Sequence, residues 1–181
     1  MHSSLMIHSE TEASSKDIQL LDGLRSQTLL KEEEAIRGRA LVLYDGVCGL
    51  CNRVVHLLLR YDRADRLRYA PLDSDIARAM LRRHPSLPQT HESAQSVIVF
   101  LNCLTPRESV HQRSDAVLAG MRSLPKLWKV AALLLGLIPR TLRDSAYRIV
   151  ARLRYRLFGR YATCPIPTEA ERSRILGWGT R

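Results

Sequence analysis

The sequence lacks a long apolar run and contains few cysteines. No stretch of about 18 apolar residues occurs, so no helix that crosses a bilayer is expected. Residues 1–12 are polar and contain no basic segment leading into an apolar one, so a secretory signal is not expected either. Four cysteines in a chain without such a signal are typical of a reducing compartment rather than of a disulfide scaffold. We therefore expect a cytoplasmic protein.

Aromatic residues are also scarce, at 6% of the chain, and no nucleic-acid recognition motif is present. Both observations argue against nucleic acid as a partner, although the formal net charge is +10. Residues 122–181 contain 13 Lys and Arg but only 3 Asp and Glu, whereas residues 1–121 contain 15 of each. A basic terminal third can bind an acidic partner or an anionic membrane surface, or it can be a solvated helical face.

The chain is organised around a strand-like run that leads into two cysteines. Residues 41–44 are apolar or aromatic, Asp45-Gly46 interrupts the run, and Cys48 and Cys51 follow with a two-residue gap. From Leu50 onward the apolar residues recur at helical spacing. The pattern predicts a strand over 41–45 and a helix over 49–61 that carries both cysteines in its first turn. A CxxC pair in such a setting is typical of a thioredoxin-like redox dithiol.

The position of the two cysteines predicts different roles for them. Unpaired backbone N–H groups at a helix N-terminus stabilise an anion, so a Cys48 thiolate is favoured there and its pKa is lowered. We expect Cys48 to be the more exposed thiol and to attack a disulfide. Cys51 lies one helical turn further on and is placed to resolve the mixed disulfide.

Asp45 precedes Cys48 by three residues and allows two interpretations. Its carboxylate can accept the proton of Cys51 during resolution, as a general base. Alternatively, Asp45-Gly46 only forms the turn after the strand, which an Asp side chain favours. A carboxylate near Cys48 would also raise the pKa of that thiol, against the effect of the helix terminus.

Two other uses of a CxxC pair are disfavoured by the residues around it. Attachment of c-type haem requires His directly after the second Cys, and Asn52 stands there. A structural zinc requires four ligands, and Cys103 and Cys164 are far apart in the chain. We expect His56 to pack or to face solvent, and Cys103 to be a buried, inert thiol. No metal or organic cofactor is therefore predicted.

The rest of the pattern predicts an α/β fold with a mixed four-stranded sheet and flanking helices, the thioredoxin-like arrangement. Further strands are expected over 67–70, 96–101 and 108–111. Helices are expected over 75–84, capped by Ser74, and after Ser114, which is expected to cap the second of them. We assign 1–39 to a disordered or weakly helical tail, with 1–16 disordered, and 40–124 to the core. Residues 125–181 form a C-terminal helical extension that packs on this core.

Two helices are predicted within the extension. Residues 127–138 are apolar on most sides, which favours burial. After Pro139, Thr141 and Asp144 have the spacing of a capping box. The next helix, which Gly159 should end, has an apolar face that we expect to be buried and an arginine stripe that we expect to face solvent. The apolar face consists of Leu142, Ala146, Ile149, Val150, Leu153 and Leu157, and the stripe consists of Arg148, Arg152 and Arg156.

These features together resemble the DCC family of thiol-disulfide oxidoreductases, a branch of the thioredoxin-like fold. The family is named for an Asp-x-x-Cys-x-x-Cys pattern, here Asp45, Cys48 and Cys51. The resemblance extends over about residues 40–176 and includes segments 69–72, 113–116 and 154–156, the pairs Arg143-Asp144 and Phe158-Gly159, Tyr147, and Cys164 before Pro165. The resemblance makes Cys164 a candidate for a third redox thiol, but a structural role is favoured. Thioredoxins carry a cis-proline before the strand that faces the dithiol, whereas residues 94–96 contain no proline here.

The sequence thus predicts a thiol-disulfide oxidoreductase of the protein-disulfide reductase type. Its partner would be a protein or small-molecule disulfide or thiol. The alternative is a binding module, in which the dithiol is structural and Arg148, Arg152 and Arg156 contact an acidic partner or an anionic membrane surface.

Overall fold

The computed structural model describes residues 4–89 and 97–178, with side chains from residue 19 onward. Within these residues the chain forms six α-helices, four β-strands and a short 3₁₀ helix, Glu169–Glu171. The elements in chain order are α1 (Ser4–Ile36), β1 (Ala40–Tyr44), α2 (Gly49–Tyr61), β2 (Leu67–Pro71), α3 (Asp75–Arg82), β3 (Ile98–Leu101), β4 (Ser109–Gln112), α4 (Arg113–Arg122), α5 (Lys126–Gly136) and α6 (Arg140–Phe158).

The four strands form one mixed sheet in the order β2-β1-β3-β4. Strand β1 is parallel to β2 and antiparallel to β3, so Val42 lies between Tyr69 and Val99. Strands β3 and β4 are antiparallel, as expected for a hairpin-short connection. Helix α2 makes the longer crossover that a parallel β1–β2 pair requires. This open, mixed sheet with helices on both faces confirms the predicted thioredoxin-like fold.

Both faces of the sheet are buried, because alternate residues of β1 enter two different cores. Leu41 and Leu43 pack with Ile76 and Met80 of α3 on one face. On the other face, Val42 and Tyr44 pack with side chains of α2 and α4, among them Val55 and Ala116. Burial on both sides explains why β1 reads as a continuous apolar run. It also places the C-terminal end of β1, and the cysteines that follow, on the face covered by α2 and α4.

Several observed boundaries differ from the predicted ones by one or two residues. Strands β1 and β4 are displaced by one residue, β3 begins two residues later, and α3 ends two residues earlier. Helix α2 begins and ends where it was predicted, and Ser74 caps α3, with its hydroxyl accepting from the Ala77 N–H at 3.3 Å. Ser114, by contrast, does not cap α4. That helix begins at Arg113, its N-cap residue Gln112 makes no side-chain hydrogen bond, and Ser114 donates to Asp144 instead.

The N-terminal helix is longer than the sequence suggests. Residues 4–16, where disorder was predicted, belong to α1, which continues to Ile36. Few residues of this helix enter the core, so its apolar residues show only weak helical spacing and the sequence does not predict its full length. Only its last two turns pack on the core: Leu29, Ala35 and Ile36 join the cluster on the face of the sheet that α3 covers. Arg25 also forms an ion pair with Asp75 at the start of α3. The division of the chain at residues 39/40 and 124/125 stays a prediction.

The predicted burial of α5 is wrong. Of its residues only Ala132 is buried, and Trp128, half-buried, packs edge-on against Tyr61 with ring centroids 5.3 Å apart. Leu127, Leu133 and Leu134 face outward and are more than half exposed. In the part of the chain that the structure describes, no helix is long and apolar enough to cross a membrane.

Helix α6 packs on the core with the face that carries Tyr147 and Arg154, and not with the predicted apolar face. Leu142, Ile149 and Leu157 are exposed, whereas Arg154 is buried. The reason is that the core offers polar partners: Asp45 pairs with Arg154, and the Val97 N–H donates to the Tyr147 hydroxyl. A capping box is not formed, since Asp144 accepts from Ser114 at 2.5 Å and Pro139 is the N-cap residue. The arginine stripe is exposed and Gly159 ends the helix, as predicted.

The chain then returns to the sheet. Tyr69 of β2 donates its N–H to Arg174 O at 2.9 Å and accepts from the Leu176 N–H at 2.8 Å, so residues 174–176 run along the free edge of β2. Ile175 and Leu176 are buried there. The edge is therefore partly paired, which removes a template for association with other strands.

The burial of Ile76 in α3 and the exposure of Leu153 in α6 predict very different losses of stability on mutation. Ile76→Ala should lower the free energy of unfolding by about 2–5 kcal/mol, because it opens a cavity in the core. Leu153→Asp should cost about 1 kcal/mol at most, because this side chain is already 37% exposed. Urea denaturation followed by circular dichroism measures both values. A larger loss for Leu153→Asp would contradict the observed orientation of α6.

Candidate active site

The two cysteines lie where β1 ends and α2 begins. Cys48 is the N-cap residue of α2 and has an extended backbone, and its sulfur accepts a hydrogen bond from the Cys51 N–H at 3.2 Å. Asn52 holds the same turn, since its side-chain amide donates to Gly46 O at 2.8 Å and to Cys48 O at 2.9 Å. The local sequence therefore aims a backbone donor at the Cys48 sulfur, which favours a thiolate there.

The prediction that Cys48 is the more exposed thiol is wrong. Cys48 has no exposed surface, whereas Cys51 is half-buried. The cover over Cys48 comes from the chain after α6. Arg160 forms an isolated bridge with Cys48, the Gly49 N–H donates to Gly159 O at 3.2 Å, and the Tyr161 N–H donates to Val47 O at 2.8 Å.

The close approach of this covering segment requires glycine at position 49. A Cβ on Gly49 would lie 2.1 Å from the carbonyl oxygen of Phe158, which is backbone and has little freedom to move. Gly46, in the preceding turn, is similarly restricted, since a Cβ there would lie 2.8 Å from the Cys164 sulfur. Both glycines of the motif are thus explained by contacts with the C-terminal part of the chain.

Hydrogen bonding shifts the pKa values of the two thiols in opposite directions. The Cys51 thiol donates to the Cys48 sulfur and, with the Cys51 N–H and the positive charge of Arg154, lowers the pKa of Cys48 from 9.0 to about 6, against the effect of burial. The same hydrogen bond, together with burial, raises the pKa of Cys51. Near neutral pH the pair is therefore one thiolate and one thiol.

Asp45 forms the turn and also a buried ion pair. One carboxylate oxygen accepts the Val47 N–H at 3.1 Å, as expected of Asp in a turn. The other accepts from the Arg154 guanidinium at 3.0 Å and from the Tyr155 hydroxyl. Asp45 and Arg154 are 5% and 9% exposed. The arginine compensates a carboxylate that would otherwise raise the pKa of both thiols.

Arg154 and Tyr155 are the residues of the site whose roles sequence reasoning missed. Helical periodicity grouped Leu153 with the buried face and the stripe Arg148, Arg152 and Arg156 with solvent, and Arg154 belongs to neither group. The available signal was that Arg154 falls outside the four-residue spacing of Arg148, Arg152 and Arg156. An arginine off such a stripe is a candidate for a partner of an acidic residue, as Arg143, which pairs with Asp115, also shows.

The other predicted thiols and the histidine lie apart from the Cys48–Cys51 hydrogen bond. Cys103 is buried, as predicted, at the opposite end of β1, where its N–H donates to Arg39 O. Burial raises the pKa of this thiol to about 12, which disfavours a thiolate there. Cys164 packs against the Gly46 turn. His56 is half exposed and its Nδ1 lies 2.8 Å from a Glu171 carboxylate oxygen. Among the described side chains no three His, Cys, Asp or Glu are grouped as metal ligands would be.

A cavity of about 440 Å³ adjoins the site. It lies over the sheet between α2, α4 and α6, with Trp128 of α5 in its wall. Cys51, Asp45 and Arg154 reach its surface, and Cys48 does not. Residues 94–96, which precede β3 and where thioredoxins carry their cis-proline, lie outside the described residues.

A cysteine pair at the N-terminus of a helix that follows the central strand of a mixed sheet defines a dithiol protein of the thioredoxin-like class. Residues 42–160, more than half of the chain, match the model of the DCC1-like thiol-disulfide oxidoreductase family. The chain therefore belongs to this family, which confirms the resemblance inferred from its motifs.

Two curated relatives are similar over most of the chain. The uncharacterized protein YuxK of Bacillus subtilis is 29% identical over 143 residues, which cover 79% of this chain and 97% of the relative. A chloroplastic DCC family protein of Arabidopsis thaliana is 31% identical over 128 residues, 71% of this chain and 70% of the relative. No solved structure matches the chain significantly.

The ion pair predicts a measurable change in thiol acidity. Arg154→Met should raise the pKa of Cys48 above about 6, because it removes a positive charge and leaves the charge of Asp45 uncompensated. Arg154→Lys, which keeps the charge, should shift the pKa less. The pH dependence of the thiolate ultraviolet absorbance measures this pKa.

The matched control is Arg152→Met, an exposed change two residues away on the same helix. It should leave the pKa of Cys48 unchanged. An unchanged pKa in Arg154→Met, with folding checked by circular dichroism, would show that Arg154 does not act on the dithiol.

Proposed function

We propose that the protein exchanges its dithiol for a disulfide in a protein or small-molecule substrate, with Cys48 as the attacking thiolate and Cys51 as the resolving thiol. The observation that carries this proposal is the N-cap position of Cys48, whose sulfur accepts the Cys51 N–H at 3.2 Å and has its pKa lowered to about 6. Membership of a thiol-disulfide oxidoreductase family supports the redox chemistry. The cytoplasmic location expected from the sequence stays a prediction.

The exchange proceeds in two displacements. The Cys48 thiolate attacks one substrate sulfur, the substrate S–S bond breaks, and the first substrate thiolate leaves. Cys51 then loses its proton and attacks the Cys48 sulfur, which releases the second substrate thiolate. The reduced protein, with one thiolate and one thiol, and one disulfide thus become the oxidised protein, one thiol and one thiolate. The proton of Cys51 passes to one departing thiolate, and the other takes a proton from solvent. Asp45, with which both thiols interact electrostatically, is the proposed proton acceptor for Cys51.

The first displacement requires that Cys48 become accessible. Its cover is held over the motif by two backbone hydrogen bonds, from Gly49 to Gly159 O and from Tyr161 to Val47 O. Opening so few bonds at the surface costs much less than global unfolding. We propose that the segment after α6 withdraws locally when a substrate disulfide docks, and that α2 stays intact.

The assignment of roles predicts which variant traps a substrate. Cys51→Ser should accumulate a mixed disulfide on Cys48, because the attack can occur and the resolution cannot. Cys48→Ser removes the hydrogen bond to Cys48 that mainly raises the pKa of Cys51, but burial still raises this pKa. This variant should therefore accumulate less adduct than Cys51→Ser. Mass spectrometry after reaction with a small disulfide measures both adducts.

The double variant Cys48→Ser/Cys51→Ser is the control for labelling at Cys103 and Cys164. Accumulation on Cys51 in Cys48→Ser, without any on Cys48 in Cys51→Ser, would reverse the two roles. Failure of both variants and of the native protein to react would reject dithiol exchange.

A second function concerns the outer surface of α5 and α6, which we propose binds an anionic membrane surface. The apolar side chains there are more than half exposed: Leu127, Val130, Leu133, Leu134, Leu137, Leu142, Ile149 and Leu157. Beside them lie the exposed cations Lys126, Lys129, Arg148, Arg152 and Arg156, and residues 126–160 contain a single acidic residue, Asp144. Apolar side chains next to a row of basic ones are typical of helices that lie in a lipid interface.

Membrane binding predicts a salt-sensitive affinity for anionic vesicles. The triple change of Arg148, Arg152 and Arg156 to Gln should weaken cosedimentation with phosphatidylglycerol vesicles strongly, because each basic residue near the surface contributes about 1 kcal/mol. High salt should weaken binding of the native protein as well, since it screens these charges.

The matched control changes three exposed arginines elsewhere, Arg63, Arg82 and Arg83, to Gln, with the same loss of charge. It should retain most of the binding. If the native protein did not bind anionic vesicles at low salt, membrane binding would be rejected. An acidic protein would then be the remaining candidate partner of the arginine stripe.

A further inference from the structure

The cavity beside Cys51 is large and apolar. Its volume of about 440 Å³ falls in the range of roughly 300–1,000 Å³ that small-molecule sites occupy. It is also about three times the ~150 Å³ of an engineered apolar cavity that admits benzene. Much of its wall is aliphatic, from Val54 and Leu58 of α2, Val99 of β3, and Val117 and Met121 of α4.

The cavity is open to solvent, and Val54 and Val117 of its wall are 43% and 42% exposed. Apolar surface in contact with water is unfavourable, so its burial stabilises a complex. An apolar molecule that fills the cavity would remove this surface from water. The size and the aliphatic wall therefore favour an apolar occupant with one or two rings, or an aliphatic chain of similar volume.

The charged groups of the wall further restrict the occupant. Asp45 and Arg154 both reach the cavity, but they pair with each other at 3.0 Å and their charges compensate. No other Asp, Glu, Lys or Arg lines the cavity among the described residues. A ligand group with a net charge would lose hydration there without a matching partner. The occupant should therefore be uncharged.

The cavity is also in contact with the redox pair, because Cys51 forms part of its wall. From this juxtaposition, and resting on the proposed function, we infer that the substrate is a small-molecule disulfide with an uncharged apolar group. The cavity binds this group so that the S–S bond lies beside Cys51, where Cys48 reaches it once the segment after α6 has withdrawn. One molecule of reduced protein and one of this disulfide give the protein disulfide and two apolar thiols.

Gly120 of α4 offers a way to fill the cavity without disturbing its wall. It lies on the cavity surface and is buried, and a Cβ added to it meets no atom within 4 Å. A larger residue in place of glycine within a helix is favourable for the backbone. Gly120→Leu should therefore occupy part of the cavity and still fold, and Gly120→Ala should occupy less of it.

The experiment compares two alkyl disulfides in single-turnover oxidation of the reduced protein, followed by loss of free thiols. Phenethyl disulfide carries uncharged apolar groups, and hydroxyethyl disulfide is its polar counterpart with leaving thiols of similar acidity. The native protein should react about tenfold or more faster with phenethyl disulfide. Gly120→Leu should bring the ratio of the two rate constants close to one, with an intermediate ratio for Gly120→Ala. The matched control, Gly23→Leu on the exposed part of α1, should keep the native ratio.

A redox-inert ligand separates binding from chemistry. Diphenethyl sulfide has no S–S bond, and calorimetric titration should show that it binds the native protein and binds Gly120→Leu at least about tenfold more weakly. No binding to the native protein, or equal reaction rates with the two disulfides, would overturn the substrate class and leave dithiol exchange intact. Binding of the sulfide without reaction of either disulfide would instead overturn dithiol exchange, and the substrate class with it.

Discussion

The buried ion pair between Asp45 and Arg154 is the interaction on which the site depends. Its two residues are 109 positions apart, in the turn after the central strand and in the last long helix. A buried charge that loses its partner is strongly destabilising, so neither residue can be replaced alone without a large cost. The pair therefore holds α6 against the motif, and the C-terminal helix becomes part of the environment of the dithiol.

The ion pair also accounts for the unusual surface of the protein. With Arg154, Tyr147 and Asp144 directed to the core, α6 has no way to bury Leu142, Ile149 and Leu157 as well. Helix α5, which precedes it, is likewise left with its leucines outside. Specific polar contacts have here prevailed over simple burial of the more apolar face. An exposed apolar surface of this extent on a basic helix pair is of the kind that interacts with something else.

The motif combines a Cys48 sulfur of lowered pKa with a segment, after α6, that covers it closely. Backbone hydrogen bonding at the N-terminus of α2 lowers the pKa of Cys48 and needs only local structure. The cover needs the chain after α6, which approaches so closely that position 49 tolerates no side chain. The low pKa favours a thiolate at Cys48, while the covering segment shields this sulfur from solvent. The accessible member of the pair, Cys51, meanwhile faces an apolar cavity.

Much of this arrangement follows from short-range patterns in the sequence. The apolar run of β1, the Asp45-Gly46 turn and the helical spacing from Leu50 onward define the strand, the turn and α2, and with them the N-cap position of Cys48. The hairpin-short link between β3 and β4 and the long crossover through α2 define the mixed sheet. These features depend on side-chain periodicity and on hydrogen bonds between residues a few positions apart, which a sequence displays directly.

The tertiary structure alone decided the burial of Cys48, the inward face of α6, the exposed face of α5 and the length of α1. Periodicity shows that a helix has an apolar side, but which side it buries depends on the partners that the rest of the fold presents. For α6 those partners were a carboxylate and a backbone N–H located 109 and 50 residues earlier in the chain. Because hydrogen bonds and buried ion pairs form only at contact distance, their effect on α6 was decided when folding brought these groups together.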